Sequence, residues 1–217
     1  MSSITTFFTS SVGRKLLMGL SGLFLCSFLI VHLYINLFLL AGDRGATFDV
    51  YAEFMATYPL LRPIEIVLFL GFLLHAVLGV WLWFLNRRAR PARYRVLRAG
   101  ETSELSSRVM MWTGLVVLAF LIIHVNAFFV QSRFFPAGRT MYEIVAAAFA
   151  NPWTDAFYLA SLFFLGYHLR HGFQSSVQTF GLRHPRYQWL IDAIGVFFWL
   201  LLPLGFAMMP LYFLWVH

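Results

Sequence analysis

The chain has 217 residues, of which 60% are hydrophobic and 12% charged, and its formal net charge is +7. A soluble domain carries about 25% charged residues, so this composition, with a mean hydropathy of +0.75, excludes an ordinary soluble fold and predicts an all-α integral membrane protein of one domain, 1–217. The single cysteine, Cys26, excludes an internal disulfide and any cluster held by several cysteines of this chain.

The first run without an acid, Lys or Arg is 16–42, long enough for a helix to cross a bilayer. A helix is expected over 16–41. It is too long for a cleaved signal peptide, and no small-residue cleavage site follows it. In the connection that follows, Phe48, Tyr51, Ala52 and Met55 share one face, which predicts a short surface helix. A second uncharged run, 66–86, gives a helix over 63–86, and a third, 109–131, gives one over 105–131. Next, "TMYEIVAAAF" opens with the capping box Thr140-x-x-Glu143, after which Ile144, Val145, Ala148 and Phe149 share a face.

The fourth long helix, 152–179, is the weakest by composition. Arg170 interrupts it, and its uncharged stretch 156–169 would not span alone. Asn151 as cap and Pro152 at the first helical position still mark a good start, and Pro185 marks a stop. The last helix is expected over 187–213, with Pro203 and Pro210 bending it. No internal repeat, low-complexity tract or linker is expected. Trp81, Trp83, Trp112, Trp153 and Trp189 fall near helix ends, as interfacial anchors do.

The arginines set an orientation. Arg14 and Lys15 precede the first helix, "NRRARPARYRVLR" puts six arginines between the second and third, and Arg183 and Arg186 separate the fourth from the fifth. The expectation is five spans, amino terminus in the cytoplasm, carboxyl terminus outside. Basic loops on that side are usual in membrane proteins, so they do not indicate nucleic acid; an acidic soluble partner could dock on them.

Seven histidines occur. His32, His75, His124 and His168 fall one in each of the first four helices. An ionisable group within a span is costly and marks a functional site by default, although a single such histidine is as often a hydrogen-bonded structural residue. Taking the outer helix edges near Leu40, Pro63, Val130 and Trp153, His32 lies ~12 Å and His124 ~9 Å below the outer edge, while His75 lies ~18 Å and His168 ~22 Å below it. The depths pair the first helix with the third and the second with the fourth. Those are the diagonals of an up-down-up-down four-helix bundle.

Two imidazoles at equal depth on facing helices suit a haem, so the spacing predicts two haems b, His32 and His124 on the outer iron and His75 and His168 on the inner. With both axial positions filled by histidine, the chemistry is electron transfer. Gly71 and Gly79, four residues either side of His75, and Gly172, four after His168, would let a porphyrin edge approach the backbone. Phe120 and Phe128 flank His124 and could pack against it. His171 competes with His168 but lies ~27 Å down, a poor match to His75, and is read as an interfacial cofactor contact. Ser21, Arg170, Gln174 and Gln178 are candidates for inner-haem propionates and Arg133 for the outer; each could as easily be an interface residue. His184 and His217 are read as solvated.

The stretch "SSVGRKLLMGLSGLFLCSFLIVHLYINL" resembles the first helix of the cytochrome b subunit of succinate dehydrogenases and fumarate reductases, of the single-chain, five-helix, two-haem type. "YHLRHGFQSSVQTFG" resembles that family's fourth helix, in which the first histidine is the ligand. The resemblance covers the whole chain in layout. It implies an anchor in a prokaryotic cytoplasmic membrane for a flavoprotein subunit and an iron–sulfur subunit, within a complex that can form a higher oligomer. Electrons would pass from succinate to a quinone, most often menaquinone, or in reverse to fumarate. The chain has no dinucleotide fingerprint, so flavin and clusters would lie on those partners.

A quinone site needs a proton donor or acceptor. Glu53, near where some members place such an acid, and Glu65 are the candidates; Glu53 could equally be a solvated loop charge, and Glu65 has Arg62 within a turn. A fumarate-reducing branch carries an acid two residues before the fourth-helix ligand, where this chain has Gly166, which favours succinate oxidation. The alternatives are the haem b subunit of another membrane oxidoreductase, of hydrogenase or formate dehydrogenase type, and a non-redox scaffold or transporter with structural histidines.

Overall fold

The computed structural model describes residues 10–88 and 105–216, the side chains of 105–108 and 216 excepted. Most of the arginine-rich connection and His217 therefore lie outside the described residues. All regular structure among the described residues is helical.

Helix α1, Ser11–Asn36, starts five residues earlier than expected because the Ser10 side chain caps it, accepting from the Gly13 N–H at 2.9 Å. A 3-10 turn, Leu37–Leu40, extends it. The predicted surface helices are both present: α2, Ala46–Thr57, and α5, Met141–Phe149, whose capping box joins Thr140 and Glu143 in both directions. Phe48 of α2 and Ile144, Val145 and Phe149 of α5 are buried, in one cluster with Leu39, Phe128, Tyr158, Met209 and Phe213. Met55, by contrast, is exposed.

The long helices are α3, Leu61–Arg88, and α4, Leu105–His124, which passes through a π-helical stretch, Val125–Val130, into a final turn, Gln131–Phe134. Helix α6 spans Pro152–Thr179, capped by Asn151. The last helix runs as α7, Gln188–Val196, a π-helical stretch, Phe197–Leu201, and α8, Leu202–Val216. The widened turns stand immediately before Pro203, whose missing N–H leaves the Trp199 carbonyl without its usual donor. The expected disturbance at Pro203 is thus a local widening, while Pro210 lies inside α8.

Among the described residues, four segments are long and apolar enough to cross a membrane: Ser11–Leu40, Leu61–Arg88, Val109–Phe134 and Pro185–Trp215. The chain thus has the helices of a multi-pass membrane protein. Helix α6 is as long as α3 but more polar, and the packing supplies the reason. It sits against α1, α4 and α8, and its Asp155, Ser161 and Ser176 are buried. Ser161 and Ser176 donate to backbone carbonyls one turn back, so their polarity is satisfied within the bundle.

Close packing runs round a ring, α1 to α3, α3 to α4, α4 to α6 and α6 to α1, with α8 outside against α6 and α1. The diagonals α1/α4 and α3/α6 face each other across the centre. Two close approaches lock the last helix in place: a Cβ on Gly205 would stand 2.9 Å from Leu33, and one on Gly166 would stand 2.8 Å from the Trp199 carbonyl oxygen.

Candidate functional site

The centre of the ring is a cavity of about 2260 Å³, well above the usual ~300–1,000 Å³ of a ligand pocket. His32, His75, His124 and His168 all line it. The rings of His32 and His124 are 5.8 Å apart between centres, and those of His75 and His168 are 6.1 Å apart. These are the two pairs that depth selects. A metal held between two imidazole nitrogens at roughly 2 Å each separates the ring centres by roughly 6 Å. Both pairs have the separation that a single six-coordinate iron requires, and the cavity gives room at both heights, so the residues present fit two haems.

The second ring nitrogens differ in their surroundings. The Ser21 hydroxyl lies 3.1 Å from His75 Nδ1, the Tyr158 hydroxyl 3.3 Å from His124 Nδ1, and Asn36 Nδ2 3.4 Å from His32 Nδ1. Asn36 makes its shorter bond, 2.7 Å, to the His32 carbonyl. Such outer partners fix a ligand's orientation. Aromatic rings hold the outer pair: Phe28 stacks on His32 at 5.2 Å, and Phe120 and Phe128 sit 5.4 and 5.1 Å from His124.

Two glycines close the inner pair. A Cβ on Gly22 of α1 would be 3.4 Å from His75 Cε1, and one on Gly114 of α4 would be 3.5 Å from His168 Cε1. At the height where α3 and α6 supply imidazoles, the other diagonal therefore offers bare backbone, where a flat macrocycle needs clearance. Of the glycines read from sequence, Gly79 and Gly172 line the cavity, but Gly71 does not. It packs on α1, where a Cβ would stand 2.7 Å from Phe24, so its role is helix contact.

The polar candidates divide. His171 and Gln178 line the inner part of the cavity, joined by Lys15, Asn86 and Arg87, which sequence reasoning missed. Arg170 and Gln174 are not among the lining residues; Arg170 is exposed and lies over the Trp199 ring at 5.7 Å. Arg170, read from sequence as a propionate candidate, thus stands on the side of the last helix. Ser21 is not among the lining residues and reaches the cavity only through His75. At the outer end, Glu53, Arg62, Glu65, Arg133 and Arg139 line the opening. Glu65 pairs with Arg62 at 2.5 Å, Glu53 is exposed, and Arg133 donates to the Ala56 carbonyl at 3.3 Å. His184 is exposed and stacks on Tyr187.

One signal for the missed glycines was present in the sequence. Gly22 and Gly114 each stand ten residues before a histidine, in "GLFLCSFLIVH" and "GLVVLAFLIIH". Gly22/Gly114, Leu23/Leu115, Phe28/Phe120, Leu29/Leu121, Ile30/Ile122 and His32/His124 are identical, so α1 and α4 carry a short internal repeat where none was expected. No protein-family model matches the chain, and neither a curated protein nor a solved structure matches it.

Proposed function

We propose that the chain is the two-haem cytochrome b anchor of a succinate:quinone oxidoreductase, crossing a prokaryotic cytoplasmic membrane five times with its amino terminus inside. The observation that carries the reading is the pair of facing imidazole couples, each at the spacing of a shared metal, at two heights in one cavity. Bound there, two haems b would supply one-electron transfer across the membrane.

The chain's own residues would do the rest. His75 and His168 would hold the inner haem and His32 and His124 the outer, and with two imidazoles on each iron the chemistry supplied would be electron transfer. Lys15, Asn86, Arg87, His171 and Gln178 offer charge and hydrogen bonds to carboxylates at the inner end. At the outer end Glu53 and the Arg62–Glu65 pair stand where a quinone, menaquinone in this reading, could exchange protons. Flavin and iron–sulfur clusters would lie on two soluble partner subunits docked against the cytoplasmic loops. Gly166 favours succinate oxidation: a carboxylate side chain at that position would collide with the Trp199 carbonyl.

The test is a haem count and a visible spectrum of the purified protein with its co-purifying subunits. Two haems b per chain, reduced on addition of succinate, is the expected result. A colourless preparation would overturn the proposal, and haems that succinate fails to reduce would overturn the choice of complex.

A further inference from the structure

Ser21 of α1 makes two bonds at once. Its hydroxyl donates to the Met18 carbonyl at 3.0 Å, and its oxygen lies 3.1 Å from Nδ1 of His75 on α3. A serine hydroxyl has one proton to give. With that proton on Met18, the oxygen is an acceptor for a His75 protonated at Nδ1. A neutral imidazole protonated at Nδ1 carries its lone pair at Nε2.

We infer that Ser21 is a positioning residue for His75: by accepting from Nδ1–H it fixes the tautomer and ring orientation that leave Nε2 free for the inner iron. This rests on the two-haem reading. Ser21 is buried, with 7% of its surface exposed, which shields the bond from solvent. The inner pair is asymmetric in this respect, because His168 Nδ1 is buried and has no hydrogen-bond partner among the described residues. Ser21 therefore acts on one ligand of one haem. Accepting a hydrogen bond from Nδ1 also makes the imidazole a stronger donor, which favours ferric iron and lowers the inner potential.

The test compares Ser21→Ala and Ser21→Thr in the intact complex, by redox titration of the two haems together with a haem count. In Ser21→Ala the inner potential is expected to shift upward, or the inner haem to be lost, with the outer haem unchanged. Ser21→Thr, which keeps a hydroxyl, is expected to behave as wild type. An unchanged inner potential in Ser21→Ala, or the same shift in both variants, overturns the role of the hydroxyl. A wild-type complex without haem overturns the two-haem reading instead.

Discussion

The α carbon of Gly166 lies so close to the Trp199 carbonyl oxygen that a methyl group there would be 2.8 Å from it. The oxygen belongs to backbone and cannot swing aside. Gly166→Ala is expected to force α6 and the last helix apart, at a cost of about 1–3 kcal/mol. Thermal unfolding in detergent should show a lower midpoint; an unchanged midpoint would mean the helices slide without penalty.

Each imidazole couple should act as a unit. His75→Ala is expected to lose the inner haem and keep the outer, and His124→Ala the reverse. A pigment count of one haem per chain in each variant, with different potentials remaining, checks this. Retention of both haems in either variant would refute that ligand assignment.

Gly22 and Gly114 approach the inner couple from the opposite diagonal. Gly22→Leu and Gly114→Leu should therefore remove the inner haem while sparing the outer one, although neither residue is a ligand. Gly71→Leu, which would collide with Phe24 where α3 packs on α1, should instead lower stability without selectivity between haems. Spectra of the three variants separate the two effects.

The ring planes meet at 87° in the outer couple and 73° in the inner. Imidazoles held at these angles on a shared haem iron would leave the orbitals of the unpaired electron nearly degenerate, which would make a low-spin ferric signal strongly anisotropic. Electron paramagnetic resonance of the oxidised protein should show two such signals. Ordinary rhombic spectra would indicate near-parallel rings.

At the outer turn before α2, Asp43 accepts from the Thr47 hydroxyl and N–H and from the Gly45 N–H. The bonds from Thr47, above all, hold its carboxyl below the usual carboxylate range. A carboxyl depressed by folding stabilises the turn above its unfolded value of about 3.9 and ceases to do so as pH falls through the folded value. Amide exchange at Gly45 and Thr47, corrected for its intrinsic pH dependence, should lose protection at acid pH. Asp43→Asn should show no such step.

Much of this layout was legible in one dimension. A helix rises by a fixed amount per residue, so depth along the bundle follows from counting, and the histidines that count to equal depth are those that meet. Local chemistry was equally readable at the Thr140–Glu143 box, which formed as its spacing requires, whereas the Ser10 cap, five residues before the expected start of α1, was passed over. Rotation about the helix axis was partly readable too. Arg170 follows His168 by two residues, about 200° round the axis, which is why it meets Trp199 rather than the cavity.

What counting could not decide is which neighbour fills the space beside each face. Gly71 and Gly79 stand about 40° to either side of His75, yet Gly79 lines the cavity and Gly71 is pressed on Phe24 of α1. Two partners of the ring nitrogens, Ser21 and Tyr158, come from other helices, and no spacing within a helix encodes them; only Asn36, four residues after His32, is local. The sequence by itself determined how deep each imidazole lies; only the packing of α1, α3, α4 and α6 decided what each one touches, because depth is a property of a single helix and contact is a property of two.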